Sequence, residues 1–201
     1  MCYTFYLTKI IPNQNTIFGI FSCIFDKKAL PLQQISRRPM IIRSTRYTDL
    51  NVLSAIFAHA RQQMAMDGNP TQWDDGYPER LQLEEDIQRG VSYVIEQDGK
   101  VCGTFVFIIG KDPTYQRIED GYWLDDDMQY GTIHRIASNN TQKGIFQTVL
   151  LWCSARCSNL RIDTHKDNRR MIHLIEKEGF IRCGIIYTRN LSPRIAYQRI
   201  K

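Results

Sequence analysis

The stretch from His134 to Phe180 constrains the fold of this chain more than any other part of the sequence. It contains a short strand, a polar loop with one central glycine, Gly144, and an apolar helix that begins directly after the loop. A second strand follows, and Asn168 then begins another helix that ends at Gly179. Strand–helix–strand units require parallel pairing of the two strands, so the stretch predicts an α/β fold with a parallel pair.

The loop around Gly144 has the composition expected of an anion-binding site. Glycine allows the backbone to approach a phosphate group without a Cβ atom in the way. The unpaired N–H groups and the dipole of the following helix favour negative charge, and Lys143 adds a positive charge. The loop therefore predicts a phosphorylated ligand, and the alternative is a plain turn between a strand and a helix.

Hydrophobic periodicity predicts the element order β-α-α-β-β-β-α-β-α-β-β. The Asp98-Gly99 dipeptide favours a tight turn, and residues 111–130 are irregular, which is typical of a functional or disordered loop. Together the elements predict a mixed sheet with helices on both faces. The predicted strands cover residues 41–44, 91–97, 101–109, 131–137, 160–164, 180–188 and 195–200, and the predicted helices begin at Thr48 or Asp49 and cover 78–90, 144–157 and 168–178.

Two motifs in this stretch resemble the Gcn5-related N-acetyltransferase (GNAT) family. The family pattern Arg/Gln-x-x-Gly-x-Gly/Ala falls on residues 141–146, where Gly144 matches, Thr141 stands at the first position and Phe146 at the last. The family pattern Asn-x-x-Ala-x-x-Leu-Tyr-x-x-x-Gly-Phe is matched in spacing by Asn168, Met171, Leu174, Ile175, Gly179 and Phe180. The resemblance covers residues 40–201 and implies a GNAT-type mixed, mostly antiparallel sheet.

The resemblance also implies acetyl-coenzyme A as cosubstrate, without a metal ion. Backbone amides near Ile136 and Ala137 would polarise the thioester carbonyl group, and Asn168 would lie near the pantetheine; the alternative role of Asn168 is a helix cap. The residues expected to bind the cosubstrate are Ile136, Ala137, Thr141, Gln142, Lys143, Gly144, Ile145, Phe146 and Asn168.

The resemblance places the general base on or beside the strand that leads to the loop. His134 lies there and is the candidate base, since a histidine near its ordinary pKa can accept a proton from an amine. The alternatives are a structural role for His134 and a rival base, Glu119. Ile175 occupies the position where many relatives have a proton-donating tyrosine, so Tyr187 or water would protonate the leaving thiolate.

The acceptor is expected to be an amine of a small molecule or of a protein. Trp73, Tyr77 and Trp123 are the candidate acceptor-binding residues, because aromatic rings among carboxylates suit a cation. The alternative for these segments is solvated acidic loops. The predicted function is N-acetyl transfer by direct attack in a ternary complex, and the alternative is a non-catalytic module with the same fold that binds acyl-coenzyme A.

Charge and cysteine content favour a cytoplasmic protein that binds neither nucleic acid nor a membrane. Residues 1–39 have five basic and one acidic side chain, a net charge of +4, which leaves +1 of the total +5 for residues 40–201. No run of about 18 apolar residues predicts a membrane span. The six cysteines form no C-x-x-C pair, which favours free thiols over zinc ligands. We expect a monomer or a homodimer.

Residues 1–39 differ in character from the rest of the chain. Residues 16–25 form an apolar run, and a linker-like segment follows it. We therefore expect residues 1–39 to be an extension that is not part of the native domain, and residues 40–201 to form the acetyltransferase domain. The alternative for the extension is a signal peptide.

Overall fold

A single mixed sheet organises the part of the chain that the computed structural model describes, residues 38–73 and 76–201. Within these ranges seven strands and four α-helices follow the predicted order. The strands are β1 (Ile41–Ser44), β2 (Ser92–Gln97), β3 (Lys100–Ile109), β4 (Gly131–Ser138), β5 (Asn159–Thr164), β6 (Ile181–Tyr187) and β7 (Pro193–Ile200), and the helices are α1 (Leu50–Met66), α2 (Arg80–Gln88), α3 (Ile145–Ser154) and α4 (Arg169–Lys177). The prediction of an N-terminal extension concerns residues that lie, up to residue 37, outside the described ranges.

The strands lie in the order β1-β2-β3-β4-β5-β7-β6. Among the described strands, β4 and β5 form the one parallel pair, and every other neighbouring pair is antiparallel. The α3 crossover between β4 and β5 explains the parallel pair, because a crossover connection returns the chain in the same direction. The predicted mixed, mostly antiparallel sheet is confirmed.

Helices cover both faces of the sheet. Val94 in β2 packs in a cluster with residues of α1 and α2, which include Leu53 and Leu83. The next residue, Ile95, packs in a second cluster with α3 and α4, which includes Val149 and Ile175. Successive side chains of a strand point to opposite faces, so α1 and α2 lie on one face and α3 and α4 on the other.

The β2–β3 hairpin and the irregular segment also agree with the sequence. Asp98 and Gly99 both have positive φ angles, 51° and 74°, as a tight two-residue hairpin turn requires. Residues 111–130 contain one short 3-10 turn, Pro113–Tyr115, and one isolated bridge between Glu119 and Ile185. The described helices include none that is both long and apolar enough to cross a bilayer.

Helix ends differ from the predictions by a few residues. The second helix begins at Arg80 rather than residue 78, because Glu79 still has an extended backbone. The third ends at Ser154 rather than residue 157, because the chain tightens there: the amide of Arg156 bonds to the Cys153 carbonyl group at 2.9 Å, an i to i−3 contact. The four cysteines within the described ranges are free thiols.

Candidate functional site

A cavity of about 850 Å³ opens where β4 and β5 diverge. The two strands pair only as far as Ile133 and Ile162. Beyond this point the residues of both strands, 134–138 in β4 and 163–164 in β5, line the cavity. The loop before α3, the first turn of α4, the α1–α2 connection and the β6–β7 connection complete its wall. The divergence of the two parallel strands therefore creates the space for a ligand.

A β-bulge shapes the β4 side of the cavity. Arg135 and Ile136 of β4 together lie opposite the single residue Phe105 of β3, and Arg135 has a φ angle of +50°. The guanidinium group of Arg135 donates to the hydroxyl of Tyr77 at 3.0 Å and to the carboxylate of Asp86 at 2.7 Å. Burial raises the pKa of Asp86 and the ion pair with Arg135 opposes that rise. The bulge is thus held by a buried ion pair.

The predicted anion-binding loop has the expected backbone geometry. Gly144 caps α3 with a φ angle of +81°, a left-handed conformation that glycine adopts without strain. A Cβ atom at this position would meet only the side chain of Met40, at 3.9 Å. The first hydrogen bond of the helix runs from the Thr148 amide to the Gly144 carbonyl group, so the amides of residues 145–147 have no intrahelical partner.

Most of the predicted cosubstrate-binding residues line this cavity. Thr141 is the exception, and its amide and hydroxyl both donate to the side-chain oxygen of Asn139, at 3.1 and 2.6 Å. Phe146 packs into the core below α3 and is 5% exposed, so its ring fills space under the helix. The residues that line the cavity are Ile136, Ala137, Gln142, Lys143, Gly144, Ile145, Phe146 and Asn168.

The side chain of Asn168 makes two short hydrogen bonds, and its amide also lies 4.0 Å from Sδ of Met64. Its side-chain oxygen accepts a hydrogen bond from the amide of Met171 at 3.1 Å, so the predicted helix cap is confirmed. Its side-chain amide donates to the side-chain oxygen of Gln72 in the α1–α2 connection, 2.9 Å away. Asn168 therefore joins the N-terminus of α4 to the opposite wall of the cavity.

His134 lies on the cavity wall among acidic and aromatic side chains. Its Nε2 atom is 2.9 Å from Oδ2 of Asp112, and its Nδ1 atom is 3.9 Å from Oδ1 of Asp163. The side chains of His134, Asp112 and Asp163 are 16%, 10% and 16% exposed, so each is sheltered yet in contact with the cavity. The ring of Tyr115 contacts the imidazole edge to face, with centroids 5.6 Å apart.

The charged state of this cluster follows from its contacts. Burial raises the pKa of the Asp112 carboxyl, but hydrogen bonds from His134 and Thr114 outweigh burial and hold it well below its usual range. Asp112 is therefore a carboxylate at neutral pH. Tyr115 donates from its hydroxyl to Asp163 at 2.6 Å, and complete burial raises the pKa of Tyr115. Tyr115 therefore keeps its proton and acts as a fixed donor to Asp163.

The structure places Glu119 and Tyr187 elsewhere. The carboxylate of Glu119 accepts a hydrogen bond from the Tyr187 hydroxyl at 2.8 Å and contacts Arg117. The hydrogen bond from Tyr187 lowers the pKa of Glu119, which makes it a weaker base. Neither residue lines the cavity. Of the two bases considered from the sequence, only His134 lies at the cavity.

Two of the three candidate acceptor-binding aromatic residues line the cavity, and the third does not. Trp73 and Tyr77 line the cavity from the α1–α2 connection, with ring centroids 6.4 Å apart. Trp123 lies outside the cavity wall, is 7% exposed, and stacks on Tyr115. Its other neighbour is the guanidinium group of Arg161, 3.9 Å from the ring centroid, so Trp123 stabilises the irregular segment.

Three residues of the site were not identified from the sequence: Asp112, Asp163 and Arg135. Asp163 had a detectable signal, because a carboxylate within the apolar strand sequence LRIDT needs a buried partner. Asp112 lies in the irregular segment, 22 residues before its partner His134, and its role depends on the pairing of β3 with β4. Arg135 depends on the bulge, which the sequence does not reveal.

No family model and no curated protein matches this chain. Solved structures do match. An acetyltransferase of the GNAT family from Streptococcus agalactiae 2603 is 32% identical to this chain, with a TM-score of 0.74, over 82% of this chain and 97% of that chain. An acetyltransferase of the same family from Listeria monocytogenes 4b F2365 is 17% identical, with a TM-score of 0.60, over 81% and 95%. An N-acetyltransferase from Staphylococcus aureus Mu50 is 22% identical, with a TM-score of 0.51, over 81% and 98%.

The two matches at lower identity show a common fold. The match to the Streptococcus agalactiae protein shows more, because its 32% identity extends over almost the whole of that protein. This chain has the diverging strands β4 and β5, the Gly144 loop and the Asn168 cap. The chain belongs to the GNAT family of acetyltransferases.

Proposed function

We propose that this protein transfers the acetyl group of acetyl-coenzyme A to an amine, by direct attack in a ternary complex. The observation that carries the proposal is one continuous cavity lined by both the Gly144 loop and His134. One part of this cavity offers unpaired helix amides and the cation Lys143, which suit a diphosphate. The other part offers an imidazole between two carboxylates, which suits an amine.

The residues at the loop fit coenzyme A. The amides of residues 145–147 have no intrahelical partner and would donate to an anion, and the space beside Gly144 is open. Gln142 and Lys143 would contact the phosphate groups, and Asn168 would lie beside the pantetheine. Backbone donors of the bulge near Ile136 and Ala137 would hydrogen-bond the thioester oxygen, an effect worth about 3 kcal/mol per donor in comparable sites.

The chemical step needs no covalent enzyme intermediate. The acceptor ammonium first loses one proton to a base, which leaves a lone pair on the nitrogen. The nitrogen then forms a bond to the acetyl carbon, the carbon–sulfur bond breaks, and the sulfur leaves with its electron pair. The second proton of the nitrogen goes to the sulfur, so the products are an amide and a thiol, and the base returns its proton to solvent.

His134 is the proposed base. It lies on the strand that also carries the bulge, and its imidazole contacts the cavity. Trp73 and Tyr77 form the proposed acceptor wall, and Tyr77 is fixed by the hydrogen bond from Arg135.

Water is the proposed carrier of the proton to the leaving thiolate, since Ile175 is fully buried and Tyr187 lies away from the cavity. A thiolate needs little assistance, because thiols have low pKa values compared with alcohols.

Binding without turnover is the second candidate, and Ile175 favours it. This side chain is 0% exposed and packs in the core with α3, where many relatives have a tyrosine. A protein of this kind would bind acyl-coenzyme A through the same loop and release no thiol. The proposed unit for either function is residues 40–201, which limited proteolysis followed by mass spectrometry would delimit.

One experiment separates the candidates. Purified protein is incubated with acetyl-coenzyme A and each member of a panel of polyamines, amino acids and peptides with free N-termini, and thiol release is followed with a thiol reagent. Calorimetric titration with acetyl-coenzyme A alone is measured in parallel. Binding with amine-dependent thiol release supports the transferase, binding without release supports the module, and no binding contradicts both.

A further inference from the structure

Each ring nitrogen of His134 lies near a carboxylate, but the two contacts differ. The contact from Nε2 to Asp112 is a hydrogen bond of 2.9 Å. The contact from Nδ1 to Asp163 spans 3.9 Å, which is too long for a direct hydrogen bond. The two carboxylates come from different elements: Asp112 follows β3, and Asp163 lies within β5. Nε2 of the imidazole is therefore hydrogen-bonded to Asp112, whereas Nδ1 has no direct hydrogen bond to Asp163.

We propose that Asp112 is a positioning residue that keeps the imidazole proton on Nε2, so that Nδ1 is the basic atom, and that the acceptor ammonium binds between Nδ1 of His134 and Oδ1 of Asp163. This inference rests on the proposed transferase function and specifies its substrate class: a primary amine that arrives as a cation.

The contacts of Asp112 determine the tautomer. Its Oδ1 atom accepts two hydrogen bonds from Thr114, from the amide at 2.9 Å and from the hydroxyl at 2.7 Å. Its Oδ2 atom is the one that meets Nε2 of His134. A carboxylate only accepts hydrogen bonds, so Nε2 must carry the proton in the neutral imidazole. The lone pair of that tautomer is on Nδ1.

The gap between Nδ1 and Asp163 has the dimensions of an ammonium site. A nitrogen about 2.9 Å from each of two acceptors can bridge atoms 3.9 Å apart, and a primary ammonium group has three N–H donors. Asp163 is fixed by the hydroxyl of Tyr115 at 2.6 Å and by the guanidinium of Arg194, whose Nε is 4.0 Å from Oδ2. Oδ1 keeps a second lone pair for the acceptor.

The charge around His134 favours a cation in that gap. The groups that face the imidazole are Asp112, Asp163 and the neutral hydroxyl of Tyr115, and Arg194 lies behind Asp163. Asp112 and Asp163 carry two carboxylates against the one guanidinium of Arg194, and the nearby carboxylate of Asp86 is paired with Arg135. The bound ammonium gives a proton to Nδ1, while Nε2 keeps its proton and its hydrogen bond to Asp112. The resulting imidazolium lies between two carboxylates, which stabilise its positive charge.

Asp112→Asn tests the positioning role selectively. In this variant the amide and the hydroxyl of Thr114 should still donate to the side-chain oxygen of the asparagine. The side-chain NH2 group then takes the place of Oδ2 and donates to Nε2 of His134. That contact moves the imidazole proton to Nδ1 and removes the basic lone pair. We expect kcat to fall by about 10²-fold or more with the KM for acetyl-coenzyme A nearly unchanged. Asp112→Glu should recover part of the loss, and Asp127→Asn, an exposed matched control, should retain full activity.

Long-range 1H–15N spectra of the histidines test the tautomer without any acceptor. They are recorded at about pH 8.5, roughly two units above the ordinary pKa of histidine, with His134 assigned from a His134→Gln variant. We expect a protonated Nε2 in the wild type and a protonated Nδ1 in Asp112→Asn. A protonated Nδ1 in the wild type, or identical spectra in both proteins, would overturn the role of Asp112.

Asp163→Asn tests the ammonium site. The variant should raise the KM for an accepted amine by about tenfold or more and leave the calorimetric Kd for acetyl-coenzyme A unchanged. An unchanged KM for the amine, or preference for amines that are uncharged at neutral pH, overturns the ammonium site. If no amine in the panel releases thiol, the proposed function fails and the ammonium site with it, while the spectra still decide the role of Asp112.

Discussion

The side-chain amide of Asn168 donates a hydrogen bond to the side-chain oxygen of Gln72, 2.9 Å away across the cavity. The same oxygen of Gln72 accepts from the side-chain amide of Asn69 at 2.7 Å, and the backbone carbonyl of Gln72 accepts from Arg194 at 3.1 Å. The α1–α2 connection, α4 and β7 therefore meet at one glutamine. This contact holds the proposed acceptor wall against the proposed cosubstrate site.

Gln72→Ala should loosen the acceptor wall more than the cosubstrate site. The variant keeps the backbone bond to Arg194 but leaves the amide groups of Asn168 and Asn69 without their acceptor, at a cost in stability of about 1–3 kcal/mol. We expect a higher KM for the amine and a nearly unchanged Kd for acetyl-coenzyme A. Urea unfolding and steady-state kinetics measure both effects. Gln116→Ala, at an exposed position outside the cavity, is the control, and an equal effect in both variants would contradict the role of Gln72.

Gly144→Asp should weaken the binding of coenzyme A. The new side chain places a carboxylate at the proposed diphosphate site, and we expect a loss of about tenfold or more, roughly 1.4 kcal/mol. Gly179→Asp is a matched control, because Gly179 has the same φ angle of 81° and open space around it, and does not line the cavity. Calorimetric titration of both folded variants decides the matter. Equal affinities would show that the loop does not hold the diphosphate.

His134→Gln and Glu119→Gln should have very different effects. Removal of the proposed base should lower turnover by about 10²–10⁴-fold and leave the affinity for acetyl-coenzyme A near that of the wild type. Glu119 makes its contacts with Tyr187 and Arg117 outside the cavity, so Glu119→Gln should retain most of the activity. Rate constants measured across pH with one accepted amine test both. A larger loss in Glu119→Gln would reverse the two roles.

Local patterns in the sequence were sufficient to predict the elements and the loop. Gly144 and Gly179 both occur where a helix begins or ends in the left-handed conformation, and Asp98-Gly99 forms the predicted turn. These features depend on residues adjacent in the chain, whose backbone preferences can be inferred from residue type. The order and type of all described strands and α-helices followed from such patterns and from hydrophobic spacing.

The partners of the site residues could not be inferred in this way. Glu119 and Asp112 both lie in the irregular segment, and the sequence suggested the first although the second contacts His134. Which of the two carboxylates contacts His134 depends on which part of the irregular segment passes β4. The segment has no hydrophobic periodicity from which its path could be predicted. Trp123 shows the same limit, since only the packing of Tyr115 and Arg161 reveals that its ring is structural.

Ile175→Val should lower stability and leave chemistry intact. Ile175 is fully buried in the core cluster that includes residues of the sheet and of α3, so loss of one methylene group should cost about 0.5–1.5 kcal/mol. If this position has no part in proton transfer, kcat and the KM for acetyl-coenzyme A should both match the wild type. Urea unfolding measures the first effect and thiol release the second. Loss of turnover in a stable variant with normal cosubstrate affinity would assign Ile175 a role in the chemistry.

Asp49→Asn should remove a component of stability that depends on pH. Arg43 donates two hydrogen bonds to the Asp49 carboxylate, at 2.8 and 3.1 Å, and the amide of Arg46 donates a third at 2.8 Å. The hydrogen bond from Arg43 is the largest cause that lowers the pKa of Asp49, and burial opposes it. Because the pKa is lower in the folded state, the stabilisation is complete above the ordinary value of about 3.9 and is lost as the pH falls below it.

The wild type should therefore exceed Asp49→Asn in free energy of unfolding by about 1.5–3 kcal/mol near neutral pH, as expected for hydrogen bonds to a charged group. The difference should shrink steadily below about pH 4, because protonated aspartic acid loses the ion pair that the asparagine never had. Urea unfolding of both proteins over a pH series measures it. Glu84→Gln is the control, since the pair of Arg80 and Glu84 is largely exposed and should contribute little at any pH. A difference between wild type and Asp49→Asn that stays constant over the series would show that the ion pair is not its source.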